Sequence, residues 1–418
     1  MQHTGHDGLH SLPKAERPTG IGTVPAVALN HYLKRFQKTE MKGRITQRGV
    51  LIAACSVVAC LLAACGGSDN NNSSVPHLVT NIAVPNSTTP AFSFDIGYAD
   101  QGKYFLADRN NKAVDVVDTA SNKLIAQMTG SFAGNGATTS SSGPDGLVGL
   151  PGTNTLYVGD VNAVKVMNTS TQTLTKTIPI STTGNRTDEG CFDPDDHLIA
   201  MANPADSPPF LTFINTDTQA VVSHLNFPGS AGLEACEYDA GTRSFLINND
   251  GTAANPDGEL DVIPASSVTA GQPAVTKAFP LGSCAPTGLA LGPNQDVMVG
   301  CDPGAGNPLI TLILDRTNGS TLAKLPFGGV DQIAYDKTSN RYFLPARHWT
   351  ANGVAAASGF TPQMAVIDGT SRTIITQLAV GTGAHSVAVD GPSGQVYVPF
   401  QAGSGAFPNG GISVFTVR

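Results

Sequence analysis

Asp331-Gln332-Ile333-Ala334-Tyr335-Asp336, followed by Tyr342-Phe343-Leu344, decides the fold because the pattern recurs along the chain. Earlier copies open at Asp95-Ile96-Gly97-Tyr98-Ala99-Asp100, Asp145-Gly146-Leu147-Val148-Gly149-Leu150 and Asp188-Glu189-Gly190-Cys191-Phe192-Asp193. Others open at Glu234-Ala235-Cys236-Glu237-Tyr238-Asp239, Thr287-Gly288-Leu289-Ala290-Leu291-Gly292 and His385-Ser386-Val387-Ala388-Val389-Asp390. The first residues are 50, 43, 46, 53, 44 and 54 positions apart. Spacing near this length, with several short strands in each unit, is the mark of a β-propeller.

Each unit supplies its strands in the same order. A short apolar run ends in turn residues such as Asp193-Pro194-Asp195-Asp196 and is followed by a second run such as Leu156-Tyr157-Val158. A third, alternating run (Ala113-Val114-Asp115-Val116-Val117-Asp118) turns into a fourth (Leu124-Ile125-Ala126-Gln127-Met128). These are half-buried or buried strands separated by turn chemistry, with no long helical period after residue 65. The seventh unit ends after its third strand, around Gly411 to Val417, and Leu78 to Val84 offers the missing fourth. The reading is therefore an all-β, seven-bladed β-propeller of four-stranded antiparallel blades. Its N-terminal strand completes the last blade and removes an open sheet edge.

Four segments follow. Residues 1–40 hold four histidines without apolar period and read as an upstream stretch outside the translated protein. Residues 41–64 carry Lys42, Arg44 and Arg48 ahead of an apolar run from Val50 to Leu62, the form of an export signal too short to span a bilayer. Leu62-Ala63-Ala64-Cys65 resembles a bacterial lipobox, in which Cys65 receives lipid. Residues 65–77 are a Gly/Ser/Asn-rich tether and 78–418 the propeller. Gly66 after the cysteine points to the outer membrane, facing the periplasm, with a monomer held through the lipid.

The chain has 24 basic and 32 acidic residues; the first 64 hold eight and three of these, leaving 16 against 29 and a net charge of −13. An acidic surface disfavours nucleic acid and suits cations. Four of the seven cysteines lie beyond the signal, an even number in a compartment that permits disulfides. Strand positions favour Cys191–Cys236 and Cys284–Cys301, with Cys236–Cys284 and free thiols as alternatives.

Long insertions collect on the face where inner strands begin: 131–143, 249–258, 301–308, 347–362 and 400–410. Long loops on one side of a rigid scaffold indicate a binding side for a small molecule or a protein. Seven strand-starting residues ring the channel there: Asp95, Asp145, Asp188, Glu234, Thr287, Asp331 and His385, with Glu189 as the alternative to Asp188 in the third unit. Converging carboxylates repel unless a cation sits among them, and oxygen ligands suit Ca²⁺ or Mg²⁺. The expected metal ligands are Asp145, Asp188, Glu234 and Asp331; Asp95 and Thr287, with Arg347, His348 and Trp349 from the longest loop, are expected to bind ligand. His385 is the ring's acid/base candidate.

The repeat, through Leu156-Tyr157-Val158 and Val366-Ile367-Asp368, resembles YVTN-type and NHL-like propeller repeats over residues 78–417. Asp145-Gly146-Leu147 and Glu234, with Asp331 and Asp188, are more distantly similar to the gluconolactonase/regucalcin superfamily, which implies a channel cation. A channel histidine at His385 is similar to that of streptogramin lyases. Two functions are compatible: an exported binding propeller, or a metal-dependent lactonase, esterase or lyase with His385 as acid/base.

Overall fold

A computed structural model describes residues 75–88, 92–403 and 405–417, and shows seven sheets of four antiparallel strands. Residues 1–74, with the export segment and Cys65, lie outside the described residues. Blade one runs Phe94–Asp100, Lys103–Asp108, Ala113–Asp118 and Lys123–Thr129 from the axis outward. The inner strands of blades two to seven are Leu147–Gly149, Gly190–Asp193, Leu233–Asp239, Pro286–Leu291, Ala334–Asp336 and Ala388–Asp390. Each inner strand touches those of both neighbouring blades, and blade seven touches blade one, so the circle is closed.

Closure is made as the sequence pattern implied. Leu78–Ala83 pairs with Gly411–Thr416 as the outer strand of blade seven, with Thr80 opposite Val414 and Ile82 opposite Ile412. One N-terminal strand thereby ties the two ends of the domain together and leaves no blade short of an edge.

The core is divided rather than central. Seven apolar clusters each lie across one seam between adjacent blades. At the seam that closes the ring, buried Tyr104 of blade one stacks on Tyr397 of blade seven with centroids 4.7 Å apart. Alternating strands have two apolar faces here because each blade is covered on both sides, which is why the second strands read as unbroken hydrophobic runs.

The inner strands do not keep a regular ladder where they reach the axis. Ladder shifts occur between Phe94 and Gly97, Leu233 and Cys236, and Pro286 and Leu289. In the other four blades the residue facing the channel precedes the paired strand by two or three positions. Such irregularities re-aim side chains. Here they turn the strand starts toward the hub. Gly146 and Gly288 make the crowding possible, since a Cβ on either would lie 2.0 Å from the carbonyl oxygen of Asp188 or Asp331 in the next blade.

One carboxyl inside a blade sets a pH dependence. Asp261 is 1 % exposed; it accepts from Asn249 Nδ2 at 3.0 Å through one oxygen, and its other oxygen has no partner. Burial, added to by the nearby Glu259 charge, pushes its pKa up to about 7. A raised carboxyl pKa contributes stability that is complete below the ordinary carboxylate range and is lost as pH rises toward about 7. Asp261→Asn removes that loss. In urea melts the variant is expected to gain on the native protein by about 1.4 kcal/mol per pH unit between pH 4 and 7; parallel pH profiles would contradict the assignment.

Candidate functional site

The seven ring residues are brought to one end of the channel, and arginines divide them into two halves. Arg109, 6 % exposed, follows the second strand of blade one and bonds both Asp95 and Asp145; its Nε donates to Asp145 Oδ1 at 2.7 Å. Arg186, from the connection into blade three, contacts Asp188 Oδ2 at 2.5 Å and lies 3.6 Å from Asp95 Oδ2 and 3.9 Å from Asp145 Oδ1. Burial by itself raises the Asp95 carboxyl, but Arg109, the His385 bond and Arg186 outweigh it and hold the group far below its usual range. Three acids and two guanidiniums thus form a buried lattice in blades one to three, in which burial still holds the Asp145 carboxyl well above its usual range.

The other half is short of positive charge. Among the described residues, Glu189, Glu234 and Asp331 each offer a carboxylate oxygen, and these atoms lie within 4.8 Å of one another. Glu189 and Asp331 are each 8 % exposed, and Glu234 is half-buried. Glu189 accepts from the Gln332 amide, and Asp331 Oδ2 pairs with Arg347 Nη1 at 2.6 Å. Burial first, then Asp188 and Glu234, pushes the Glu189 carboxyl well above the carboxylate range. Burial first, then Asp250 and Asp331, does the same to Glu234. Neighbouring Asp188 and Asp250 are each raised to about 6, burial being the main cause. Three hard oxygen donors, crowded and under-compensated, have the chemistry that takes a divalent cation.

Two of these carboxylates are pinned covalently. Cys191 lies two residues beyond Glu189 and Cys236 two beyond Glu234, and the two are joined in a disulfide with Cα atoms 5.3 Å apart. The second disulfide, Cys284–Cys301, ties the inner strand of blade five to its neighbour. Both pairings agree with the expectation from strand position.

Of the metal ligands expected from sequence, Glu234 and Asp331 lie in the triad with Glu189, whereas Asp145 and Asp188 are engaged by arginines. The Thr287 hydroxyl donates to the Val330 carbonyl at 2.6 Å. His385 stacks on Phe94 at 4.6 Å, places Nδ1 2.7 Å from the Gly383 carbonyl, and holds Nε2 3.7 Å from Asp95 Oδ1. Trp349 stacks on Phe327 at 4.8 Å and anchors its loop to the rim, while His348 Nδ1 sits 2.6 Å from Asp302 Oδ2. Sequence reasoning missed Arg109 and Arg186. The available signal was two of only 16 basic residues beyond position 64 standing directly beside second-strand and strand-start aspartates.

No family model matches the chain, and no curated protein does. Among solved structures, a chain of Kuenenia stuttgartiensis hydrazine synthase matches with a TM-score of 0.59 and 13 % identity, covering 76 % of this chain and 95 % of that one. What the match shows is the fold. At that identity it carries no reaction from one propeller to the other.

The arginine lattice makes a direct prediction. Arg109→Leu strands Asp95 and Asp145 in the interior and is expected to cost about 3–5 kcal/mol in chemical denaturation. Arg243→Leu, which breaks the exposed Arg243–Asp196 pair, should cost far less. Equal losses would remove the case for a charge lattice.

Proposed function

We propose that this protein is an exported binding propeller whose channel mouth holds a divalent cation, Ca²⁺ or Mg²⁺, through Glu189, Glu234 and Asp331. The observation that carries the reading is the gathering of three carboxylates from blades three, four and six within 4.8 Å, beside a half-ring bridged by arginine. When bound, the cation would compete with protons at Glu189 and Glu234, whose carboxyls burial raises. A binding role is supported over catalysis by His385, whose two ring nitrogens face a backbone carbonyl and Asp95. Export is supported by the two disulfides, which belong to an oxidising compartment; anchoring through Cys65 rests on the Leu62-Ala63-Ala64-Cys65 pattern.

The test is thermal. Chelator-treated protein is expected to gain several degrees in melting temperature at saturating Ca²⁺ or Mg²⁺, the scale of a ligand at a hundred times its Kd. Glu234→Gln should abolish most of that gain. A native melt that ignores both cations would sink the cation. The anchor has its own measurement: cells expressing the chain with a labelled fatty acid should label the native protein and not Cys65→Ser, and an unlabelled native protein would remove the anchor.

A further inference from the structure

The loop that follows Arg347 frames a second site, at the seam of blades six and seven. A cleft of about 380 Å³ is lined there by Arg347, His348, Phe360, Pro362, Thr382 and Gln401, among others. Arg347 spends Nη1 on Asp331, and its buried Nε has no hydrogen-bond partner among the described residues. The Asp302 carboxylate accepts only, so at 2.6 Å it fixes the proton on His348 Nδ1 and leaves Nε2 for another partner. The His348 and Phe360 rings lie 4.5 Å apart at 40°, so an aromatic wall adjoins the Arg347 guanidinium.

The walls are held in place before any ligand arrives. Trp349 stacks on Phe327, the Thr361 amide donates to the Trp349 carbonyl at 2.8 Å, and the Thr350 hydroxyl donates to the Val354 carbonyl at 2.6 Å. The His348 amide also donates to the Gly329 carbonyl at 3.2 Å. A loop pinned at four points loses little freedom on binding.

We propose that this cleft binds a small molecule carrying one carboxylate on a planar apolar body. Arg347 takes the carboxylate, since the planar fork of guanidinium N–H donors matches its two oxygens. Phe360 and Pro362 take the body. The Asp331 and Asp302 carboxylates stand behind Arg347 and His348, so a dianion such as a phosphate monoester would be repelled more than a monoanion. The cation triad is not required, and the site is tested without it.

Benzoate, benzamide and phenyl phosphate are titrated into the intact, chelator-treated chain by calorimetry and ligand-observed NMR. Benzoate is expected to bind with a Kd on the order of 1 mM, at least roughly tenfold tighter than either analogue. Arg347→Gln should weaken benzoate by about tenfold or more. Arg347→Lys retains the Asp331 pair and the fold but loses the fork, and should fall between. Melting curves confirm that each variant is folded. The proposal is overturned if benzoate shows no binding on the order of 10 mM, or binds no better than benzamide or phenyl phosphate. It is also overturned if folded Arg347→Lys binds benzoate as the native protein does.

Discussion

Bringing seven strand starts onto one axis is the constraint from which the rest of this structure follows. The ring closes because Leu78–Ala83 completes blade seven, and closure fixes how near the inner strands must come. They come so near that Gly146 and Gly288 are needed where one strand passes the backbone of the next. Regular pairing cannot persist at that end, so the strands bulge or stop short and present side chains to the channel instead. A polar hub is thus a geometric product of an apolar scaffold.

Charges gathered that way must be compensated, and the two halves of the ring do it differently. In blades one to three, Arg109 and Arg186 bridge Asp95, Asp145 and Asp188 into a lattice, though Asp145 Oδ2 and Arg186 Nε stay without a hydrogen-bond partner among the described residues. In blades three to six, Arg347 pairs with Asp331, and Arg186 acts on Glu234 only from a distance. Glu189 and Glu234 keep carboxyls raised by burial, beside the strands joined by the Cys191–Cys236 bond. One half of the hub reads as architecture and the other as a place for something to bind. Arg347 also lines the cleft at the seam of blades six and seven, which makes that residue common to the hub and the cleft.

Much of this could be read along the chain. Strand spacing, the split last blade and both disulfides follow from local patterns, because turn residues and period-two alternation act over a few residues and the repeat multiplies them. The ring residues were legible for the same reason: each stands at a fixed place in its unit. Glu189 against Asp188 was not decided, since one step of register flips a strand residue between faces and the strand start is irregular there.

What the sequence by itself determined is the toroid and which residues stand at its hub, since both rest on short-range periodicity repeated seven times. What the tertiary structure alone decided is the partnership among those residues. Arg109 reaches Asp145 across a blade boundary, Gln332 reaches Glu189 from three blades away, and His348 finds Asp302 in the preceding blade. Such contacts depend on side-chain reach and on the convergence angle of whole sheets, quantities that no local pattern encodes.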